Sequence, residues 1–156
     1  MIRKIARSIL DALDCPDAEL SLVLTDDAGI TPINREYLAR DRSTNVIAFP
    51  MREGSFGDIT PGLLGDVIIS LETADTESRH AGIPLTVRFT QLLVHGILHL
   101  FNYDHEKSAR DAAIMDAKSA EMMTAIEKEG PLSSDFIRPE KSPAPTQTAG
   151  VSGQNA

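Results

Sequence analysis

The sequence predicts a small domain of the α+β or mixed α/β class, and three observations carry that reading. At 156 residues the chain is long enough for one domain with a sizeable core. Its hydrophobic periodicities run in the order helix, strand, helix, two strands, then three helices. The apolar surface is gathered on few strands, which helices must then cover.

Each element has its own warrant. Ile2, Ile5, Ile9 and Leu13 share one helical face, with Arg3, Lys4 and Arg7 largely elsewhere, and Cys15-Pro16-Asp17 ends that helix. Leu20, Leu22 and Leu24 alternate with Ser21 and Val23 as in a strand, and Val23 suggests burial on both faces. Asp26-Asp27-Ala28-Gly29 reads as a turn. Thr31-Pro32 then reads as an N-cap with proline at the first helical position, opening a helix through Ile33 and Tyr37 that ends near Ala39. Val46 to Phe49 forms a strand closed by Pro50, and Met51 to Pro61, rich in glycine, serine and charge, reads as an exposed loop. Leu63 to Ser70 is the strongest strand, and Gly65-Asp66 within it predicts a bulge or a close backbone approach.

A helix follows from about Leu71 to His80, with Gly82-Ile83-Pro84 as its stop and the start of the next. That next helix, about Leu85 to Phe101, is apolar nearly all the way round and is expected at the centre of the core. Asn102 fits a left-handed helix end. Ser108 and Asp111 have capping-box spacing for a last helix, whose core side is Ala112, Met115, Met122 and Ile126, the methionines acting as packing. From Pro131 to Ala156 proline, serine, threonine, glycine and glutamine displace large apolar residues. The chain thus divides into a domain over 1–130 and a disordered tail over 131–156.

A formal net charge of −8 argues against a generic nucleic-acid binder but permits a local basic patch. The single cysteine, Cys15, forms no internal disulfide, which fits a cytoplasmic protein. No stretch is long and apolar enough to span a membrane, and the basic, amphipathic N-terminus reads as a packed helix and not as a targeting segment.

Three of the four histidines fall in the run His95-Gly96-Ile97-Leu98-His99-Leu100-Phe101-Asn102-Tyr103-Asp104-His105. His95 and His99, four apart, project from one side of a helix; Asn102 stops that helix and lets His105 turn back. Three neutral imidazoles suit a catalytic metal site with one open position, zinc by default, with nickel, manganese or iron as alternatives. Asp104 and Glu106 are close enough in sequence to tune it, whereas His80 reads as a helix-end residue. Zinc-protease motifs place a glutamate after the first histidine as general base; here that residue is Gly96, so peptide hydrolysis would need a base from elsewhere. Water on the metal could also act alone, because coordination lowers its pKa.

This histidine run resembles the signature of the bacterial YbeY family of single-strand-specific endoribonucleases and rRNA maturation factors, H-G-x-L-H-L-x-G-Y-D-H. Asp41-Arg42-Ser43-Thr44-Asn45-Val46-Ile47-Ala48-Phe49-Pro50 is similar to that family's D-x-x-T-N-V-L-S-F-P, and Leu63-Leu64-Gly65-Asp66-Val67-Ile68-Ile69 to its L-L-G-D-[IV]-x-I. The order and spacing agree over about Glu19 to Gly130. The resemblance implies a zinc-dependent hydrolase of α+β, metalloprotease-like fold, with a small mixed sheet covered by helices. It places one metal ion on His95, His99 and His105. It implies maturation of the 16S rRNA 3′ end and ribosome quality control, by metal-activated water or metal stabilisation of the phosphoryl transition state. The implied partners are rRNA and the small ribosomal subunit, with a ribosomal protein or a GTPase beside them, and neither membrane nor DNA.

Four departures accompany it. Leu38 stands where family members usually carry arginine after a tyrosine, here Tyr37, and Arg40 is the candidate to supply that charge, with Arg35 and Arg42 nearby. Asn102 replaces a glycine. The family's opening strand before helix one has no counterpart, so either the sheet is one strand short or the true start lies upstream. The tail is an extension. Arg40 and Asp104 are the candidate catalytic residues beside the ligands. Arg35, Arg42, Arg52 and Arg88 are candidate backbone contacts; Thr44 and Asn45 read as loop-fixing residues, Asp66 as a buttress, and Phe49 and Tyr103 as core or site wall. No aromatic pair of the RNA-recognition-module type is present. The rival readings are a metal hydrolase of another substrate and a non-catalytic, zinc-stabilised ribosome-assembly factor.

Overall fold

A computed structural model describes residues 2–51 and 62–130. The loop expected beyond Met51, Arg52 within it, and the expected tail lie outside those residues. Strand β3 (Leu63–Ser70) organises the rest. It pairs in parallel with β1 (Glu19–Thr25) and antiparallel with β2 (Val46–Pro50), giving a mixed sheet in the order β1-β3-β2 among the described residues. Five helices pack around it: α1 (Ile2–Ala12), α2 (Asp27–Leu38), α3 (Leu71–Ala81), α4 (Leu85–Leu100) and α5 (Ala109–Lys128). The element order and the α+β class are those the sequence predicts.

The alternation of β3 assigns the two faces of the sheet. Leu64, Val67 and Ile69 join the main core with Ile5 and Ile9 of α1, Phe89, Leu93 and Ile97 of α4, and Met115 and Met122 of α5. Ile68 points the other way, onto Ile30 of α2 and Ile47 of β2. Phe89 is fully buried in mid-α4, a burial worth roughly 1.5–3 kcal/mol. Both readings of Gly65-Asp66 hold. Glu19 pairs with Leu63 but Ser21 with Asp66, so β3 carries one extra residue there. Gly65 sits at φ +146°, and a Cβ on it would stand 2.1 Å from the Phe49 carbonyl oxygen.

Two expectations are corrected. Helix α2 begins at Asp27, capped by Asp26, whose side chain accepts from the Gly29 amide at 2.8 Å, and Pro32 lies inside the helix. Both Asp26 and Thr31-Pro32 are start signals; the earlier one prevails because the extra turn places Ile30, 0% exposed, against the sheet. Without an N–H, Pro32 forgoes the bond to the Ala28 carbonyl. Val23 is 44% exposed because it lies on the edge strand β1 and points to the face opposite Leu20, Leu22 and Leu24, which pack against the main core.

The end of α4 sets up the site. Asn102 adopts φ 69°, its amide donates to the His99 carbonyl at 3.0 Å, and the Tyr103 amide donates to the Leu98 carbonyl at 3.1 Å. These two bonds form a complete Schellman motif. They reverse the chain within three residues of His99. Ser108 then caps α5 by accepting from the Asp111 amide at 3.0 Å, as the capping-box spacing predicts. No single helix among the described residues is long and apolar enough to cross a membrane.

Candidate metal centre

The helix period and the Schellman turn bring the three imidazoles together. The Nε2 atoms of His95 and His99 lie 3.1 Å apart. Ring centroids are separated by 4.7 Å for His95–His99, 5.1 Å for His95–His105 and 5.4 Å for His99–His105. One ring nitrogen from each falls within 4.8 Å of the others. Two nitrogens at about 2.0–2.1 Å from one tetrahedral ion stand about 3.3–3.4 Å apart. The cluster is therefore of a size to close on one ion, leaving a fourth position to the cavity.

Its electrostatics suit the same use. Burial lowers the His95 pKa to about 4 from its ordinary 6.5, assisted by the positive fields of His99, His105 and Arg88 and opposed by Asp116. Burial and the His105 charge also lower His99, against Asp104, Glu106 and a hydrogen bond to the Tyr103 backbone. The pair is kept neutral, the form that binds a metal. A backbone partner on His99 is also the kind of outer contact that orients a ligating ring. One pH dependence follows. Between 6.5 and about 4 the unfolded chain binds a proton at residue 95 that the folded chain refuses. Stability of the chelator-treated protein is therefore expected to be full above pH 6.5, to fall as pH drops below it, and to level off near pH 4. Urea midpoints across that range in EDTA check this, and His95→Gln should flatten the slope.

The histidines line an open cavity of about 590 Å³. Arg40 and Asp104 line it too, as do Thr44, Asn45 and Tyr103. Asp104 Oδ1 accepts from the Glu106 amide at 2.8 Å, and Glu106 Oε1 stands 4.0 Å from His105 Nε2. Leu38, 46% exposed, presents an apolar side chain to the cavity. Of the other candidates among the described residues, Arg35, Arg42 and Arg88 are not in the cavity lining. Arg35 pairs with Asp41 at 3.3 Å, and Arg88 is bound to Glu77 at 2.7 Å. Asp66 lies in the β3 bulge opposite Phe49, away from the cavity lining. Phe49 packs edge-on against Tyr37, with centroids 5.2 Å apart.

Sequence reasoning missed Asn34. It is 1% exposed and lines the cavity. Its Nδ2 donates to the Arg42 carbonyl at 2.8 Å, and its own carbonyl accepts the Arg40 amide at 3.2 Å. It thereby holds the loop that presents Arg40. The available signal was its position four residues after Ile30, on the inward face of α2. Asn45 is fixed twice: its Nδ2 donates to Glu77 Oε1 at 3.1 Å, and its backbone carbonyl accepts the Ser70 amide at 2.9 Å.

A mixed-sheet α+β domain with three convergent imidazoles on an open cavity is of the metal-dependent hydrolase class. Comparison with known proteins makes it specific. The chain matches the family described as Endoribonuclease YbeY over residues 1–127. Endoribonuclease YbeY of Geobacter metallireducens is 52% identical over 130 residues, covering 83% of this chain and 87% of that one. The Geobacter sulfurreducens protein of that name is also 52% identical, with the same coverage. The solution structure of TM1509 from Thermotoga maritima shares the fold, with TM-score 0.60 at 20% identity, over 90% of this chain and 91% of that chain. The chain belongs to the YbeY family.

Proposed function

We propose that this protein is a single-strand-specific, metal-dependent endoribonuclease that matures the 16S rRNA 3′ end and serves ribosome quality control, with the small ribosomal subunit as its working partner. The observation that carries the reading is the cluster of three ring nitrogens within 4.8 Å on an open cavity, in a chain of the endoribonuclease YbeY family. His95, His99 and His105 hold one divalent ion, and a three-nitrogen donor set with an open position favours zinc. Such an ion supplies positive charge for the phosphoryl transition state and lowers the pKa of a water molecule.

The chain's own residues do the rest. Arg40, exposed and anchored through Asn34, binds a phosphate of the substrate backbone. Asp104 keeps one carboxylate oxygen on the Glu106 amide and lines the cavity, where its other oxygen would serve as proton acceptor for the attacking nucleophile. Residues 1–130 are the unit that does this work. The test is cleavage of single-stranded rRNA fragments by purified protein supplied with zinc or another divalent ion; no cleavage with any of several ions overturns the reading. Arg40→Ala is expected to lower kcat/KM about tenfold or more. It should also flatten the log rate against log salt by about 0.7, because one phosphate of the strand is then left unneutralised. Kinetics at several salt concentrations check both.

A further inference from the structure

A second recess, of about 380 Å³, opens beside the metal centre and shares Asn45, Val46 and His95 with the main cavity. Two helical stripes build it: Arg88, Gln91 and His95 on α4, and Asp116, Ser119 and Met123 on α5. Each set has i, i+3, i+7 spacing, so each lies along one helix face. The groove between the two helices therefore ends on one of the three histidines.

Its chemistry is selective. The Arg88 guanidinium is occupied, with Nη2 on Glu77 Oε2 at 2.7 Å and Nη1 on Gln91 Oε1 at 3.0 Å. With its carbonyl oxygen taken, Gln91 has amide N–H groups to donate. Asp116 makes no ion pair among the described residues. A paired cation beside an unpaired carboxylate disfavours phosphate and favours a neutral group rich in N–H donors. Single-stranded RNA offers such groups on the Watson–Crick edges of its bases. Guanine alone presents two adjacent donors, N1–H and N2–H, to one carboxylate, and its O6 can accept from an amide such as that of Gln91. Val46 and Met123 supply an apolar wall and a thioether for the ring.

We infer that this recess is a nucleoside subsite that prefers guanine at a position next to the cleaved bond. The inference rests on the endoribonuclease reading, so its test has two arms. In the first, single-stranded RNAs differing only in the nucleotides flanking the cleaved bond are compared. Guanosine on one side is expected to raise kcat/KM at least about tenfold over uridine, and Asp116→Asn to bring that ratio close to one. In the second, NMR titration with guanosine monophosphate is expected to shift the Gln91 and Ser119 signals, uridine monophosphate to leave them in place, and Asp116→Asn to remove the guanosine response. Cleavage indifferent to the flanking base, with no selective shifts, overturns the subsite while the endoribonuclease reading stands. Selective shifts without cleavage of any RNA support the subsite and overturn that reading instead.

Discussion

His99→Ala is expected to abolish RNA cleavage and divalent-ion binding together while the fold persists. His99 occupies the last turn of α4, half-buried, between Leu98 and Leu100, which carry the packing there. Removing its ring takes nothing from the core but leaves two nitrogens where three converge. Loss of an outer partner alone costs about 10–100-fold in metal affinity, so loss of a ligand should exceed about a hundredfold. Cleavage should fall to background, since both Arg40 and Asp104 would then face a cavity without its central charge. Competition titration for zinc, cleavage of a single-stranded fragment and far-UV circular dichroism separate the effects. Retained cleavage with a lost ion would show that cleavage does not run through the histidines. Unfolding of the variant, with no cleavage by the parent protein, would favour the non-catalytic assembly-factor reading.

The parts of this molecule that depend on short-range spacing were legible in the sequence. The i, i+4 pair of histidines, the left-handed Asn102 that turns His105 back, and the Gly65 bulge each follow from local geometry, and each is found in place. What escaped was decided by partners distant in sequence. Arg88 looks like a free cation on the face of His95, yet Glu77, from a different helix, claims it. Val23 has the composition of a buried strand residue, but the strand order places β1 at an edge. Asn34 reads as an unremarkable polar residue until Arg40 and Arg42 fold back onto it. Among the described residues, Leu38 lines the cavity as an apolar wall, and Arg40 of the following loop lines it as well.

Gly96 shows how the two scales meet. In the sequence it marks only the absence of a zinc-protease glutamate. In the structure its bare Cα faces side chains of β2 and β3 at close range. A Cβ added there would stand 2.7 Å from Val67 Cγ1 and 3.2 Å from Val46 Cγ2. Val67 is fully buried, and β-branched side chains have little rotamer freedom to yield. Gly96→Ala is therefore expected to lower stability by about 1–3 kcal/mol, the usual cost of forcing extra volume into a packed core. Gly96→Glu should cost more, because it adds a desolvated carboxylate to the same overlap. Displacing α4 from β2 and β3 would also move His95 and His99 away from His105, so zinc affinity should fall with stability. Urea denaturation with zinc and with EDTA measures both. A Gly96→Glu protein as stable as the parent, and able to hydrolyse peptides, would show that the glycine reflects the chosen chemistry alone. Loss of stability in both Ala and Glu variants would instead mean that helix–sheet packing itself denies this site a protease base.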